Sequence, residues 1–304
     1  MTTYRLTNHF LEDRWPEDAL ALAIPVPPTT ATQRSIGMEI PCCWQFESVT
    51  AANVQQEALF VAPTERFAGS HFSMQVSIPA GVCADAHFDA TDMACFCPGA
   101  DAVEVCEGLS LARMGEHERV EAIVECLKKK YRYQHGTNSD LPLTCDLLVG
   151  NCLDINVAFV RLLRTAGIRS AYYIGYFFEA GKPQECDDWH CWVDTVSERG
   201  YESWDIAHFL KRGRTDVGPA LNPIPGMRVA LSTGRDLRFA TSYGEQQLAH
   251  LCEPRWVLAG GGTRQARINV VATTTPQTTN SPNGIEQLKA AIAIANCPSE
   301  SEIA

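Results

Sequence analysis

Apolar and polar positions change their period along the chain. Up to about Pro98 the apolar residues come in short runs, Leu20 to Val26, Gly37 to Phe46, Ala58 to Val61 and Phe72 to Ile78, separated by Pro, Gly, Thr and Ser. Short extended runs with frequent breakers predict strands of an antiparallel, β-rich module. From Arg113 to Tyr133 the spacing lengthens. Val120, Ile123, Val124 and Leu127 recur at three- and four-residue intervals with charges on the other face, which predicts an amphipathic helix. Asn151 to Ala166 is apolar on most sides and stops at Gly167, so a buried helix is expected there. The β-branched and aromatic run Ile168 to Phe178 predicts a strand, followed by two more, His190 to Val196 and Tyr201 to Ile206, around the turn Ser197 to Gly200. One helix feeding three antiparallel strands is an α+β plan.

Beyond Lys211 the text is Pro- and Gly-rich, with strands predicted at Met227 to Leu231 and Ile268 to Ala272. Thr273 to Asn283 reads as a polar linker and Gly284 to Ala295 as a short apolar-faced helix. The expected division is a β-rich N-terminal module over 1–107, an α+β core with its C-terminal extension over 108–271, and the linker with its helix over 272–304.

Composition narrows the partners. Of 304 residues 45% are hydrophobic and 20% charged, which is ordinary globular text. The net charge of −11, with no long basic run, speaks against nucleic acid and anionic membranes as partners. The first residues, Met1 to Glu12, lack the apolar stretch of a secretory signal, and thirteen cysteines is an odd number, so reduced thiols and a cytoplasmic location are expected. Cys42-Cys43 and Cys95-Phe96-Cys97 lack the two-residue spacing that lets paired thiolates clasp zinc, so neither a metal nor another cofactor is expected.

One constellation carries chemistry. Cys152 stands at the start of the buried helix, where backbone N–H groups and the helix dipole favour a thiolate and where a first-turn amide can face an oxyanion. The thiol needs a base, and His190 opens a strand in Trp189-His190-Cys191-Trp192, with bulky indoles to restrict the imidazole and exclude water. Asp205, at the end of the next strand, is placed to accept from the far ring nitrogen. Cys191 neighbours His190 on a strand and is expected to point away, since consecutive side chains face opposite sides. Asp154, Asp187 and Asp188 read as polar edge residues and His208 as a surface histidine. Trp189, Trp192, Tyr133 and Tyr173 are the candidate substrate-binding side chains, although aromatic residues in strands equally suit a core.

Gly150-Asn151-Cys152, the helix end Leu162 to Arg169, His190-Cys191-Trp192-Val193-Asp194 and Trp204-Asp205 together resemble the core of the transglutaminase-like superfamily, in that family's order. The resemblance implies a papain-like α+β core, a nucleophile helix packed on an antiparallel sheet, with Cys152 matching the nucleophile, His190 the base and Asp205 the orienting carboxylate. One departure is that Ile206-Ala207-His208 follow the aspartate, where the family often has Pro and a small residue. The second oxyanion donor is not fixed by the motif, and Tyr133 is one candidate. The resemblance implies acyl chemistry through a thioester on Cys152, acting on an amide, peptide or acyl-thioester substrate, with hydrolysis of an amide or peptide bond preferred. An acyltransferase or cyclase that passes the acyl group to an amine, hydroxyl or carbon nucleophile is the alternative, and a non-catalytic binding module on the same fold is a second. Calcium-dependent crosslinking is disfavoured, since no acidic loop has calcium-ligand spacing.

Overall fold

The computed structural model describes residues 2–65, 67–79, 94–136, 141–182, 186, 189–219 and 222–275. The N-terminal part supplies β1 (Thr2–Phe10), β2 (Ala19–Pro25), β3 (Arg34–Glu39), β4 (Phe46–Thr50), β5 (Glu57–Val61) and β6 (His71–Ile78). The middle supplies α1 (Ala100–Gly108), α2 (Glu116–Lys130), β7 (Tyr131–Tyr133), β8 (Leu148–Gly150), α3 (Cys152–Thr165), β9 (Arg169–Glu179), β10 (Trp189–Ser197), β11 (Gly200–Trp204) and α4 (Ile206–Lys211). The chain then continues through β12 (Gly226–Thr233), β13 (Leu237–Thr241), β14 (Gly244–Leu248), β15 (Arg255–Leu258), β16 (Thr263–Gln265) and β17 (Ile268–Thr275). This is an α+β fold of mostly antiparallel sheets, as the sequence predicts.

Three sheets organise it. The first has the order β17-β1-β6-β3, the second β16-β15-β2-β5-β4 and the third β11-β10-β9-β12. The first two draw strands from both ends of the chain: Leu6 pairs with Ala272 and Leu22 with Trp256. The β-rich region foreseen at 1–107 therefore takes β15, β16 and β17 into its sheets. The polar stretch read as a linker from Thr273 begins as strand, with Thr273, Thr274 and Thr275 opposite Arg5, Tyr4 and Thr3. The helix expected at 284–295 lies outside the described residues.

The second sheet is a shared wall between two cores. On β2, Leu22 and Ile24 join Leu6, Phe72, Met74 and Trp256 in a core against the first sheet, while Ala21 and Ala23 face the helices. On β5, Leu59 and Val61 take the first side and Ala58 and Phe60 the second. Burial on both faces from Ala21 onward is why β2 reads Ala-Leu-Ala-Ile there without polar alternation, while Leu20 is exposed. The helical core is built by α2 and α3 on β9 and β10. Val120, Ile123, Val124 and Leu127 of α2 meet Ile155, Phe159, Leu162 and Leu163 of α3, and Tyr172, Ile174, Cys191 and Val193 close it from the sheet.

The helix boundaries follow local chemistry. α2 stops at Lys130, because Tyr131–Tyr133 leaves it to pair in parallel with Leu148–Gly150. Gly175 on β9 sits opposite His190, in a place where a Cβ would lie 1.9 Å from the Val229 carbonyl oxygen, so β12 packs against a backbone that only glycine can present.

Candidate active site

α3 begins with a capping box. The Asn151 side-chain oxygen accepts from the amides of Leu153 at 2.8 Å and Asp154 at 3.4 Å, and Asp154 Oδ2 accepts from the Asn151 amide at 2.8 Å. Asp154 thus closes the helix start, which is its structural role. It folds over Gly150, where a Cβ would come within 2.8 Å of it, so this glycine is needed for close approach. Cys152 takes the first helical position, 8% exposed, where an amide has no acceptor within its own helix.

His190 and Asp205 meet. His190 is 5% exposed and Asp205 fully buried, and His190 Nε2 donates to Asp205 Oδ2 at 2.5 Å. That bond commits Nε2 and leaves Nδ1 as the ring atom for other partners. Asp205 is not on a strand, as the sequence reading has it; it is the N-cap of α4, with Oδ1 accepting from the His208 amide at 3.0 Å. Burial alone would raise its pKa, but the charge and hydrogen bond of His190, helped by His208 and Arg228, hold it well below the usual carboxylate range. Burial works against a charged His190, yet Asp205 first and Cys152 next keep its pKa above the ordinary imidazole value. A buried imidazolium-carboxylate pair beside a thiol at a helix start is the arrangement that favours a thiolate.

Two groups around this pair escape the sequence reading. His208, expected on the surface, is buried, because α4 turns it inward: its ring lies 4.6 Å from that of His190 and its Nδ1 is 3.6 Å from Asp205 Oδ2. Burial lowers its pKa below the ordinary imidazole value, with Asp205 pulling in the other direction. Phe177 meets both rings edge-on, at 6.2 Å from His190 and 4.8 Å from His208. Arg228 of β12 reaches the same carboxylate, with its NH1 3.6 Å from Asp205 Oδ2, and lies 5.5 Å over the Trp192 ring. Asp205 immediately ahead of the apolar Ile206-Ala207 is an N-cap signature, and reading it as one would have put His208, three residues on, beside the aspartate. No local signal marks Arg228.

Cys191 has a partner that its strand position alone does not reveal. Its strand position does turn it from His190, but toward α3, so it shares the helical core with Cys152. Asn156 Nδ2 donates to the Cys152 carbonyl at 2.9 Å and to the Cys191 carbonyl at 3.1 Å, and is 3.3 Å from Cys191 Sγ. Burial, then a hydrogen bond with Cys152, push the Cys191 thiol well above its ordinary value, so it stays protonated.

The four candidate substrate-binding side chains separate. Tyr173 and Trp192 are buried together, ring centroids 6.1 Å apart, in a small cluster with Ala171 and Ala230. Both are almost wholly buried and leave no face for a substrate, and Trp192 instead supports Arg228, the side chain that reaches Asp205. Tyr133 is half-buried, and its pairing with Gly150 brings it to the start of α3, with Lys211 Nζ 6.0 Å over its ring. Trp189 is half-buried, with His250 at 5.3 Å. Asp187 and Asp188 lie outside the described residues.

Residues 104–206 match the transglutaminase-like superfamily. No curated protein matches the chain. Among solved structures, a proposed cysteine protease from Cytophaga hutchinsonii is similar at 15% identity and a TM-score of 0.49, over 92% of each chain. The periplasmic domain of TgpA from Pseudomonas aeruginosa, at 15% identity and a TM-score of 0.39, covers 71% of this chain and 90% of its own.

Proposed function

We propose that the protein, whose residues 104–206 match the transglutaminase-like superfamily, hydrolyses an amide or peptide bond with Cys152 as nucleophile, His190 as acid and base, and Asp205 as the group that orients and charges His190. The observation that carries this reading is the buried His190-Asp205 pair, 2.5 Å between Nε2 and Oδ2, with His190 close enough to Cys152, the first residue of α3, for the two to interact electrostatically. The Cys152 thiolate adds to the carbonyl carbon, and the electron pair moves to the oxygen, where the first-turn amide stabilises it. His190 gives its Nδ1 proton to the leaving amine as the C–N bond breaks, leaving an acyl-thioester. A water then adds, losing its proton to His190, and the C–S bond breaks to release a carboxylate and restore the thiolate-imidazolium pair. The half-buried Tyr133, which pairs with Gly150 ahead of α3, is the substrate-facing aromatic of the proposal.

The test is incubation of the protein with a mixed peptide library and mass spectrometry of new termini, against Cys152→Ala and His190→Ala. Cleavage confined to the wild type supports hydrolysis. Adding hydroxylamine traps the acyl-enzyme as hydroxamate. Products that form only when an amine is supplied would replace hydrolysis with acyl transfer, and cleavage retained by Cys152→Ala would refute the nucleophile.

A further inference from the structure

We propose that His250, Cys252 and Glu253, on the loop between β14 and β15, form a binding site for a borderline-soft divalent cation of the zinc class. One ligand atom from each, an imidazole nitrogen, the thiol sulfur and a carboxylate oxygen, lie within 4.8 Å of one another, and Cys252 and Glu253 are buried. That spread lets a single ion reach all three with small side-chain adjustments. The ligand types are those of zinc, and three protein ligands leave a fourth position for water or another donor.

Polar satisfaction points the same way. His250 Nδ1 is buried and has no hydrogen-bond partner among the described residues. A buried ring nitrogen without a partner is costly, and a cation bound to its lone pair removes that cost. The carboxylate is already oriented. Gln265 Nε2 donates to Glu253 Oε2 at 2.6 Å and Arg255 NH1 lies 3.4 Å from Oε1, which still leaves lone pairs on both oxygens. Such outer partners fix ligand geometry in metal sites.

Charge closes the account. Binding removes the Cys252 thiol proton to solvent, and the resulting thiolate and the Glu253 carboxylate cancel the two positive charges of the ion. The bound site is then neutral, so Arg235 and Arg255 do not oppose it as they would an unbalanced cation. His250, Cys252 and Glu253 form a ligand group distinct from His190, Asp205 and His208, and Cys252 shares the helical core with Cys152 and feels its charge. A link between the two groups is Trp189, which packs on the His250 ring and precedes His190 in the chain. An ion would tie the β14-β15 loop to that tryptophan.

The experiment uses the full-length, reduced protein stripped with a chelator and titrated with Co²⁺, followed by displacement with Zn²⁺. The expected result is one equivalent bound with a thiolate-to-cobalt charge-transfer band. Cys252→Ser abolishes the band, and His250→Gln weakens binding at least about 100-fold, more than loss of an outer partner does. Cys152→Ala leaves both unchanged. X-ray absorption of the zinc-loaded wild type, which does not depend on any variant folding, shows one sulfur at about 2.3 Å with nitrogen and oxygen at about 2.0–2.2 Å. Absence of a stoichiometric ion, a shell without sulfur, or a band that survives Cys252→Ser and disappears in Cys152→Ala would each overturn the proposal.

Discussion

Replacing Asp205 by Asn isolates the electrostatic part of the site. The substitution keeps the side-chain oxygen that caps α4 by accepting from the His208 amide, and it keeps the volume of a fully buried group. It removes the charge that raises the His190 pKa, and it puts an amide donor where His190 Nε2 now donates. The ring must then carry its proton on Nδ1 and accept through Nε2, the tautomer opposite to the present one. A hydrogen bond to a charged group is worth about 1.5–3 kcal/mol, which at about 1.4 kcal/mol per pKa unit is one to two units of His190 pKa. Below neutral pH Cys152 thiolate forms only with its imidazolium partner, so its alkylation at pH 6 should fall about 10- to 100-fold. Iodoacetamide rates for every cysteine between pH 5 and 9, read by peptide mass spectrometry, measure this. The other cysteines, Cys191 included, serve as internal controls. The reasoning fails if the Cys152 profile of Asp205→Asn overlays that of the wild type.

Burial raises the pKa of the fully buried Asp194 from 3.8 to about 6, with Tyr201 and Ser203 lowering it only in part. The native protein therefore holds more protons than the unfolded chain between those values, and stability falls as pH rises across them. Asp194→Asn should stabilise the protein at pH 7.5 by up to about 3 kcal/mol, two units at about 1.4 kcal/mol each, with the gain gone below pH 4; urea melts at both pH values decide. Asn151→Ala removes the side chain that takes the amides of Leu153 and Asp154 and should cost about 1 kcal/mol in the same melts, while slowing Cys152 alkylation; an unchanged midpoint would deny the cap its role. Gly175→Ala forces a Cβ to 1.9 Å from the Val229 oxygen and should separate β12 from β9, leaving protease-sensitive or insoluble protein. Wild-type melting of that variant would show the β9-β12 register to be wrong.

Legibility in the sequence followed the locality of each cause. α3 was readable from its cap, its apolar faces and Gly167, and it spans Cys152–Thr165 between Asn151 and Ala166. β9, β10 and β12 lie within two residues of the expected runs at each end, because each carries a central β-branched, aromatic or aliphatic stretch that burial selects. β1 escaped because buried Asn8 interrupts its alternation between Leu6 and Phe10, and its place is set by Met74 and Ala272 in distant strands. β14 and β16, Gly-Glu-Gln-Gln-Leu and Thr-Arg-Gln, hold almost nothing apolar. Each is the outer member of its sheet or hairpin, where hydrogen bonds to a neighbour rather than burial keep the strand.

The site divides along the same line. Cys152 and His190 are marked by what stands beside them in the chain, and Tyr133 by its approach to Gly150 only once β7 and β8 pair. Asp205 was legible as a residue and misplaced as an element, and the difference has mechanical content. A carboxylate on a strand end is held by its backbone alone and can rotate about its own side-chain bonds. As the cap of α4 it has one oxygen fixed by the His208 amide, which aims the other at His190 Nε2. The turn that does this also carries His208 inward against His190, and Arg228 arrives from β12 to the same oxygen. The orientation of the base thus depends on a helix of six residues that follows the aspartate, and the sequence signal for that helix is the aspartate itself.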